Sequence, residues 1–166
     1  NTDALITIRK GVLLGLTVAD CLAIYIFDPS NQAIGIAHAG WRGLVAGVIE
    51  NTIKQMGLEY NSLPEDLVVS LSPAICGNHY EVSQEVADKF ADYPTSLQRT
   101  SEKIYLDIKT VAREKLIRCG VLQTNIEISP ECTFELPNKY FSFRRDKPDF
   151  VNPMLAVISL PQGIGV

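Results

Sequence analysis

Short apolar runs occupy the first part of the chain, and turn-forming residues separate these runs. Apolar runs of this length, bounded by turn signals, are consistent with buried β-strands. The pattern predicts strands at Ala4–Thr7, Leu13–Thr17, Leu22–Phe27 and Ala33–Ala37. The segment Asp28-Pro29-Ser30-Asn31 has the residue order of a tight turn, so we expect the last two of these strands to form an antiparallel hairpin.

Two longer segments carry apolar residues at helical spacing. The first predicts a helix from about Arg42 to Met56, which ends at Gly57 because glycine commonly follows the last helical residue. The second predicts an amphipathic helix over Ile108–Cys119, stopped by Gly120.

The remaining predicted elements are short. They comprise a helix at Val82–Phe90, an irregular surface segment at Phe90–Lys103, and strands at Leu67–Leu71, Ile104–Leu106, Asn125–Ser129, Tyr140–Phe143 and Leu155–Leu160. Because strands and helices interleave while one pair of strands forms a hairpin, we expect an α/β fold with a mixed central sheet and helices packed on it.

Composition narrows the class of protein. The chain has 166 residues, enough for one domain with a substantial core. Its net charge is −4 and its 15 Lys and Arg residues are scattered, so we expect no nucleic-acid partner and no membrane partner. No apolar run approaches the roughly 20 residues that span a bilayer. The chain enters a predicted strand almost at once, without an initiator Met, so we expect an N-terminal segment to precede it.

The four cysteines, Cys21, Cys76, Cys119 and Cys132, are widely spaced among predicted strands and helices. This is unlike the dense pattern of a small secreted disulfide scaffold, so we interpret them as thiols or metal ligands in a reducing compartment, the cytoplasm. Cys119 lies at a predicted helix end, where a packing role is favoured.

Cys21 and His38 are the first candidates for chemistry. If Asp28 pairs with Asn31 in the hairpin, Cys21 and His38 are direct cross-strand neighbours with Cβ atoms about 4.5–5.5 Å apart. Three interpretations stay open: a core pair, a zinc or copper site that needs a further ligand, and a Cys–His nucleophile and base. Asp20 is a candidate orienting group, but strand alternation sends it to the opposite face unless the chain bends there.

A glycine-rich turn follows His38 directly. Gly40 and Gly43 permit a tight strand-to-helix turn and close approach by a ligand. The helix start exposes N–H groups to an anion, and Arg42 can add a bidentate clamp, so phosphate is the simplest candidate ligand. A glycine-rich turn with Trp41 packed in the core is an equally good interpretation.

Further polar residues follow the later strands. Cys76 comes after a buried strand, where it can line a pocket, although a structural thiol is favoured. His79 lies in a predicted loop and is interpreted as a surface or supporting residue, while Cys132 is undecided. Arg144 and Arg145 precede Asp146, so that either one arginine faces the site and the other pairs with Asp146, or all three form a surface ion-pair cluster.

Taken together, several motifs in this order resemble a known family. They are Leu16-Thr17-Val18-Ala19-Asp20-Cys21, His38-Ala39-Gly40-Trp41-Arg42-Gly43, Pro73-Ala74-Ile75-Cys76-Gly77, Tyr80-Glu81-Val82, Cys132-Thr133 and Ser142-Phe143-Arg144-Arg145-Asp146. The set, which spans nearly the whole chain, resembles the purine nucleoside phosphorylase family formerly called laccase-like or multicopper polyphenol oxidases, which includes a peptidoglycan-editing factor. This resemblance implies a single catalytic domain over residues 1–166 with a layered α/β/α fold similar to cysteine-hydrolase toxin domains.

The resemblance also implies a metal site and an activity. The family binds zinc through two histidines and one cysteine, of which Cys21 and His38 match two, while the other histidine belongs to a motif upstream of residue 1. The implied reactions are phosphorolysis of adenosine, inosine, guanosine and methylthioadenosine, and deamination of adenosine. Zinc suits the deamination because it lowers the pKa of a bound water. We expect Cys21, His38, Asp20 and Arg42 to be catalytic.

Substrate binding is expected to involve Gly40, Arg42, Gly43, Cys76 and Arg144, with a nucleoside and phosphate as small-molecule partners. One departure concerns residues 147–153, Lys-Pro-Asp-Phe-Val-Asn-Pro, where the family carries Gly-Arg. This change indicates an altered substrate wall. The alternatives are a metal-free cysteine hydrolase that uses Cys21 and His38, and a noncatalytic binding subunit. A copper phenol oxidase is less favoured because two histidines cannot supply several copper sites.

Overall fold

A computed structural model describes residues 2–147, 149 and 152–162. Its strands are β1 (Ala4–Thr7), β2 (Leu13–Val18), β3 (Leu22–Asp28), β4 (Ala33–Ala39), β5 (Val68–Leu71), β6 (Glu81–Val82), β7 (Leu97–Arg99), β8 (Ile104–Leu106), β9 (Ile126–Ile128) and β10 (Met154–Ser159). Its helices are α1 (Trp41–Val45), α2 (Val48–Tyr60), α3 (Gln84–Asp88), α4 (Ile108–Arg118) and α5 (Phe143–Asp146), with short 3-10 turns at Pro64–Asp66, Pro94–Ser96 and Gln123–Asn125.

The central sheet has the strand order β1-β4-β3-β5-β9. Strand β5 pairs in parallel with β9, whereas the other neighbours are antiparallel. The predicted mixed sheet in an α/β fold is therefore confirmed. Two smaller antiparallel sheets accompany it, a ribbon of β2 with β10 and a three-stranded sheet in the order β6-β8-β7.

The two faces of the central sheet bury different layers. Alternate residues of β3, Leu22, Ile24 and Ile26, pack into a core shared with α2 and α4. Burying each such side chain contributes about 1.5–3 kcal/mol. The intervening Ala23 lies in a second core, which the β2–β10 ribbon closes. In the described part of the chain, helices thus cover one face and a β-ribbon covers the other.

The predicted helix from Arg42 to Met56 is wrong in its continuity and in its end. Gly47 has φ +80°, a left-handed conformation that stops α1, so a second helix starts at Val48. Helix α2 then passes through Gly57 and ends at Tyr60, and Asn61, with φ 55°, forms the left-handed cap that was expected of glycine.

Three other predictions need correction. The helix expected at Val82–Phe90 starts only at Gln84, because Val82 is a strand residue paired with Ile104. The segment Phe90–Lys103 is not irregular throughout, since it contains β7. The strand expected at Tyr140–Phe143 is absent from the described structure: Ser142 accepts a hydrogen bond from the N–H of Arg145 and caps α5.

The remaining predicted strands agree with the structure to within a residue or two, and α4 lies where its apolar spacing placed it. Asp107 caps α4 by accepting hydrogen bonds from the N–H groups of Lys109 and Thr110 at 3.0 and 3.2 Å. Within the described ranges, no helix is both long enough and apolar enough to cross a membrane. Residues 148, 150 and 151 of the divergent 147–153 segment lie outside the described residues.

Candidate functional site

The hairpin brings Cys21 and His38 to the same face, but not opposite each other. His38 pairs with Ala23, and Asp28 pairs with Ala33, so the turn has four residues and the predicted register is wrong by two positions. Asp28 holds this longer turn because its carboxylate accepts the N–H groups of Ser30 and Asn31. If the register continues, Cys21 lies opposite position 40 and is a diagonal neighbour of His38.

Cys21 and His38 both lie at the open end of the hairpin. Cys21 packs against the second core, and His38 follows Ile34 and Ile36 on that face. Both residues are half-buried, and Nδ1 of His38 lies 3.8 Å from a carboxylate oxygen of Asp3. A thiol and an imidazole on one accessible face fit a zinc site, although two donors do not complete one.

The two glycines of the turn are explained by close approaches within the chain. A Cβ at Gly40 would lie 2.9 Å from the Cys21 sulfur, and one at Gly43 would lie 3.1 Å from the carbonyl oxygen of His38. Because α1 has only five residues, the dipole behind this turn is smaller than that of the long helix predicted from the sequence. The turn therefore offers less for anion binding than the sequence predicted, and the predicted phosphate role rests mainly on the Arg42 side chain.

Asp20 is buried and joins separate parts of the chain. Its φ of 78° provides the bend that turns its side chain away from strand alternation. One carboxylate oxygen accepts the hydroxyl of Thr133 at 2.6 Å. The other accepts the hydroxyl of Ser142 at 3.0 Å and the N–H of Arg144 at 2.7 Å. The sequence-predicted Asp20 thus fixes the loops that carry the later motifs.

Tyr80 lies where these motifs converge. The Arg144 guanidinium lies over its ring, 4.9 Å from the centroid, and donates a 2.8 Å hydrogen bond to the carbonyl of Glu81. Burial raises the pKa of Tyr80 to about 12, and the nearby Cys21 acts in the same direction, whereas the charges of Arg144 and Arg42 oppose the increase. The buried phenol of Tyr80 is therefore influenced by Cys21 on one side and by the charges of two arginines on the other.

Arg144 and Arg145 have different environments. Arg145 pairs with Asp146 at 2.7 Å and donates to the carbonyls of Thr133, Phe134 and Tyr140, so its guanidinium holds the loop together. Arg144 is exposed beside Tyr80. The two adjacent arginines diverge as the first of the two sequence interpretations proposed, but on a short helix and not on a strand.

A second group of donors lies at Cys76, His79 and Glu135. Nε2 of His79 lies 3.0 Å from Oε1 of Glu135, and Sγ of Cys76 lies 3.6 Å from the same oxygen. Burial and the neighbouring Cys132 raise the pKa of Cys76 to about 12. Among the described residues, this is the group of three whose donor atoms approach closely enough to hold a metal ion, within 4.8 Å of one another.

A cavity of about 570 Å³ borders the glycine-rich turn, because Gly43 and Asp3, the neighbour of His38, are among its lining residues. It lies on the helical face of the sheet, between β1 and α2, and Ala4, Ile6 and Thr52 contribute to its lining. None of Cys21, His38 or Tyr80 lines it. The thiol, imidazole and phenol of the candidate site therefore lie outside this cavity, and the glycine-rich turn borders it.

Sequence reasoning named Tyr80 only as part of a motif and did not name Glu135 as a site residue. Tyr80 directly follows His79 and lies four residues after Cys76. A thiol, an imidazole and a phenol so close in sequence indicate a candidate functional segment. Glu135 had no signal of its own, because its role depends on contact with a residue 56 positions away.

A family model described as multi-copper polyphenol oxidoreductase laccase matches residues 1–160. Purine nucleoside phosphorylase YlmD of Bacillus subtilis is 33% identical over 151 residues, which covers 88% of this chain and 54% of that protein. A purine nucleoside phosphorylase of Deinococcus radiodurans is 35% identical over 165 residues, covering 98% of this chain and 63% of that protein. The chain thus spans less than two thirds of the length of each of these relatives.

Comparison with solved structures agrees with these sequence matches. The crystal structure of YlmD from Geobacillus stearothermophilus has a TM-score of 0.92 and 34% identity, and the match covers 98% of this chain and 62% of that chain. Bacillus licheniformis hypothetical protein YfiH has a TM-score of 0.89 and 34% identity, covering 96% of this chain and 61% of that chain. The likeness extends over nearly all of the present fold.

Proposed function

The chain belongs to the multi-copper polyphenol oxidoreductase laccase family, and from this premise we propose that it supplies most of the active site of a purine nucleoside phosphorylase. In that reaction an oxygen of inorganic phosphate bonds to C1′ of the ribose as the bond from C1′ to the purine nitrogen breaks. The departing base takes up a proton. The observation that carries the proposal is the Arg144 guanidinium, held 4.9 Å from the centroid of the buried Tyr80 ring by its hydrogen bond to the Glu81 carbonyl.

Phosphate is the ligand that suits Arg144 and Arg42. A guanidinium offers paired N–H donors that match two phosphate oxygens, and a site with a buried wall strengthens such charge-assisted hydrogen bonds. Arg144 is already oriented by its bond to the Glu81 carbonyl, and its guanidinium has further N–H groups. Arg42 stacks on Trp41 at 4.4 Å, which leaves the edge of its guanidinium free to donate.

We propose Cys21 and His38 as two ligands of a zinc ion, which needs at least one further donor. When bound, the zinc supplies a Lewis acid that lowers the pKa of a water, which suits hydrolytic deamination of adenosine. The chain's own contribution is positional: Gly40 leaves the space in which the Cys21 sulfur lies. Gly43 lets α1 approach the end of the strand that carries His38.

Asp20 serves as the positioning residue of this proposed site. Both of its carboxylate oxygens are occupied by donors from Thr133, Ser142 and Arg144, so it sets the start of α5. Through that helix it determines where the Arg144 guanidinium meets Tyr80. Its effect on catalysis is therefore exerted through Arg144 and not through a proton transfer.

The metal-free cysteine hydrolase is less well supported. Burial, aided by the negative charge of Asp20, raises the pKa of Cys21 to about 11, so the group is a thiol at neutral pH. A nucleophilic cysteine needs the thiolate, which cationic neighbours favour and burial disfavours.

The experiment measures adenosine turnover by the full-length protein, with and without phosphate, together with its zinc content. We expect one zinc at the Cys21–His38 site and phosphate-dependent release of adenine. Cys21→Ala should remove that zinc and both activities, and activity that persists without the zinc would contradict the zinc role. No turnover with zinc in place would instead support a noncatalytic binding subunit.

Arg42→Ala tests the phosphate role separately. We expect a higher KM for phosphate and a smaller effect on deamination, which uses no phosphate. Arg99→Ala is the matched control, since Arg99 is an exposed arginine on β7 that donates to Gln84. Equal damage to both reactions by Arg42→Ala would assign Arg42 a structural role.

A further inference from the structure

We propose that Cys76, His79 and Glu135 form a second zinc site, separate from the Cys21–His38 site. The three side chains come from two loops, one after β5 and one after β9. Their donor atoms, a sulfur, an imidazole nitrogen and a carboxylate oxygen, all lie within 4.8 Å of one another. Ligands of one zinc ion, at bond lengths of about 2.0–2.3 Å, have separations below that limit.

The first loop presents its two donors together. The N–H groups of His79 and Tyr80 both donate to the carbonyl of Cys76, at 3.0 and 3.1 Å, and this turn puts the Cys76 and His79 side chains near the same point. Two intervening residues are also the spacing at which zinc sites commonly take a pair of ligands from one turn. The Cys132 sulfur accepts the N–H of Cys76 at 3.2 Å and fixes the backbone there.

The second loop orients the imidazole and supplies the third donor. The ring of Phe134 stacks on His79, with centroids 4.4 Å apart and planes inclined by 16°. This stacking fixes the plane of the imidazole while Nε2 faces Glu135 at 3.0 Å. Because the ring is already oriented and the carboxylate is already adjacent, less conformational entropy is lost when a metal binds. This preorganisation favours metal binding in addition to the chemistry of the donors.

The donor set selects the metal. Thiolate and imidazole ligands suit zinc, whereas calcium and magnesium take oxygen ligands. Binding releases the Cys76 proton to solvent, so a thiolate and a carboxylate balance the two charges of the ion. His79 and Glu135 are partly exposed, with side-chain exposures of 33% and 51%, so solvent can reach a fourth coordination position.

A zinc ion here would join two loops that both lead to the proposed phosphorylase site. Tyr80 directly follows His79, and Thr133, which donates to Asp20, lies two residues before Glu135. A zinc held here therefore fixes Tyr80 and the Asp20 partner relative to each other. The second zinc site can be tested independently of the proposed reaction, because metal content is measured without substrate.

The test separates the two sites by substitution in the full-length protein. Each variant is stripped with a chelator, reloaded with zinc, freed of excess metal and analysed for zinc per chain. Cys21→Ser, which disables the first site, should retain one zinc, and adding His79→Ala should remove it. Adding Cys119→Ser to Cys21→Ser instead should leave that zinc bound, since Cys119 is a half-buried thiol at the end of α4.

Glu135→Gln keeps the shape of the side chain and guards against misfolding of the larger substitution. In the Cys21→Ser background, Glu135→Gln should weaken zinc binding. The Cys21→Ser protein loaded with cobalt in place of zinc should show a thiolate charge-transfer band, and adding Cys76→Ser should remove that band. The same zinc should raise the melting temperature of Cys21→Ser and not that of Cys21→Ser with His79→Ala. A Cys21→Ser protein that binds no zinc, or a double variant that still binds one, would overturn the second site.

Discussion

The sulfur of Cys21 lies over Gly40, so close that a Cβ at residue 40 would meet it at 2.9 Å. Only glycine at this position leaves the sulfur where it is. Since Cys21 is one of the two proposed zinc ligands in this chain, the contact links the glycine of the turn to the geometry of the metal site.

Gly40→Ala should therefore lower zinc occupancy at the Cys21–His38 site without unfolding the protein. The added methyl forces the thiol to rotate away, and an off-rotamer side chain costs about 0.5–1.5 kcal/mol. Zinc content and melting temperature are the two measurements. Gly15→Ala is the control, because a Cβ there meets its nearest atom at 3.5 Å, an ordinary contact. Unchanged zinc occupancy in Gly40→Ala would argue against Cys21 as a ligand.

Asp20→Asn should destabilise the protein and impair phosphate binding together. Asparagine tolerates the positive φ of residue 20, but its amide cannot accept three hydrogen bonds as the carboxylate does. We expect a loss of roughly 1–3 kcal/mol in the free energy of unfolding, measured in urea, and a higher KM for phosphate. If only the kinetics change and stability does not, Asp20 takes part in the reaction directly.

The sequence identified the elements well where local pattern determines them. Strands β3 and β4 were predicted because their apolar residues are dense, and the mixed sheet followed from the order of elements. The register of that hairpin was wrong because Asp28 and its hydrogen bonds to Ser30 and Asn31 hold a four-residue turn, and turn length cannot be read from the turn residues alone.

In the candidate site, too, the sequence predicted what local motifs determine and missed what depends on contacts between distant segments. Motifs drew attention to Cys21, His38 and Arg144, but their surroundings depend on contacts between distant segments. The carboxylate of Asp20 meets residues more than 110 positions away, and Glu135 meets His79 across 56 positions. Periodicity and spacing do not report such contacts, so the second donor cluster appears only in the folded chain.

Two glycines of the first helical region should respond in opposite ways to alanine. Gly47 has φ +80°, so Gly47→Ala forces a left-handed conformation that costs about 1–2 kcal/mol. Gly57 lies inside α2, where a Cβ meets only the carbonyl oxygen of Ser62 at 3.5 Å, so Gly57→Ala should stabilise by about 0.5–1 kcal/mol. Chemical denaturation of both variants measures the difference. The opposite order would mean that the helix break at Gly47 is misplaced.

Asp28 should contribute to the acid sensitivity of the fold. Burial raises its pKa, but the hydrogen bonds from Ser30 and Asn31, with the nearby Ser62 hydroxyl, together outweigh burial and lower the pKa below its usual value. Since the folded-state pKa lies below the unfolded value of about 3.9, the contribution is fully present above that pH and is lost as the pH falls through the folded-state pKa. Asp28→Asn should therefore flatten the acid limb of stability against pH. Asp66→Asn serves as the control, and an equal change there would remove Asp28 from this role.

Substitutions at Arg144 and at Arg145 should have different effects, the first on phosphate binding and the second on stability. Arg144→Lys keeps the positive charge beside Tyr80 but loses the paired donors, so we expect a higher KM for phosphate at nearly unchanged melting temperature. Arg145→Lys loses donors that serve three backbone carbonyls and Asp146, so it should lower the melting temperature first. Steady-state kinetics and thermal unfolding of both variants make the comparison. If Arg144→Lys loses stability as Arg145→Lys does while its phosphate KM stays unchanged, the guanidinium over Tyr80 supports the loop and another group binds the phosphate.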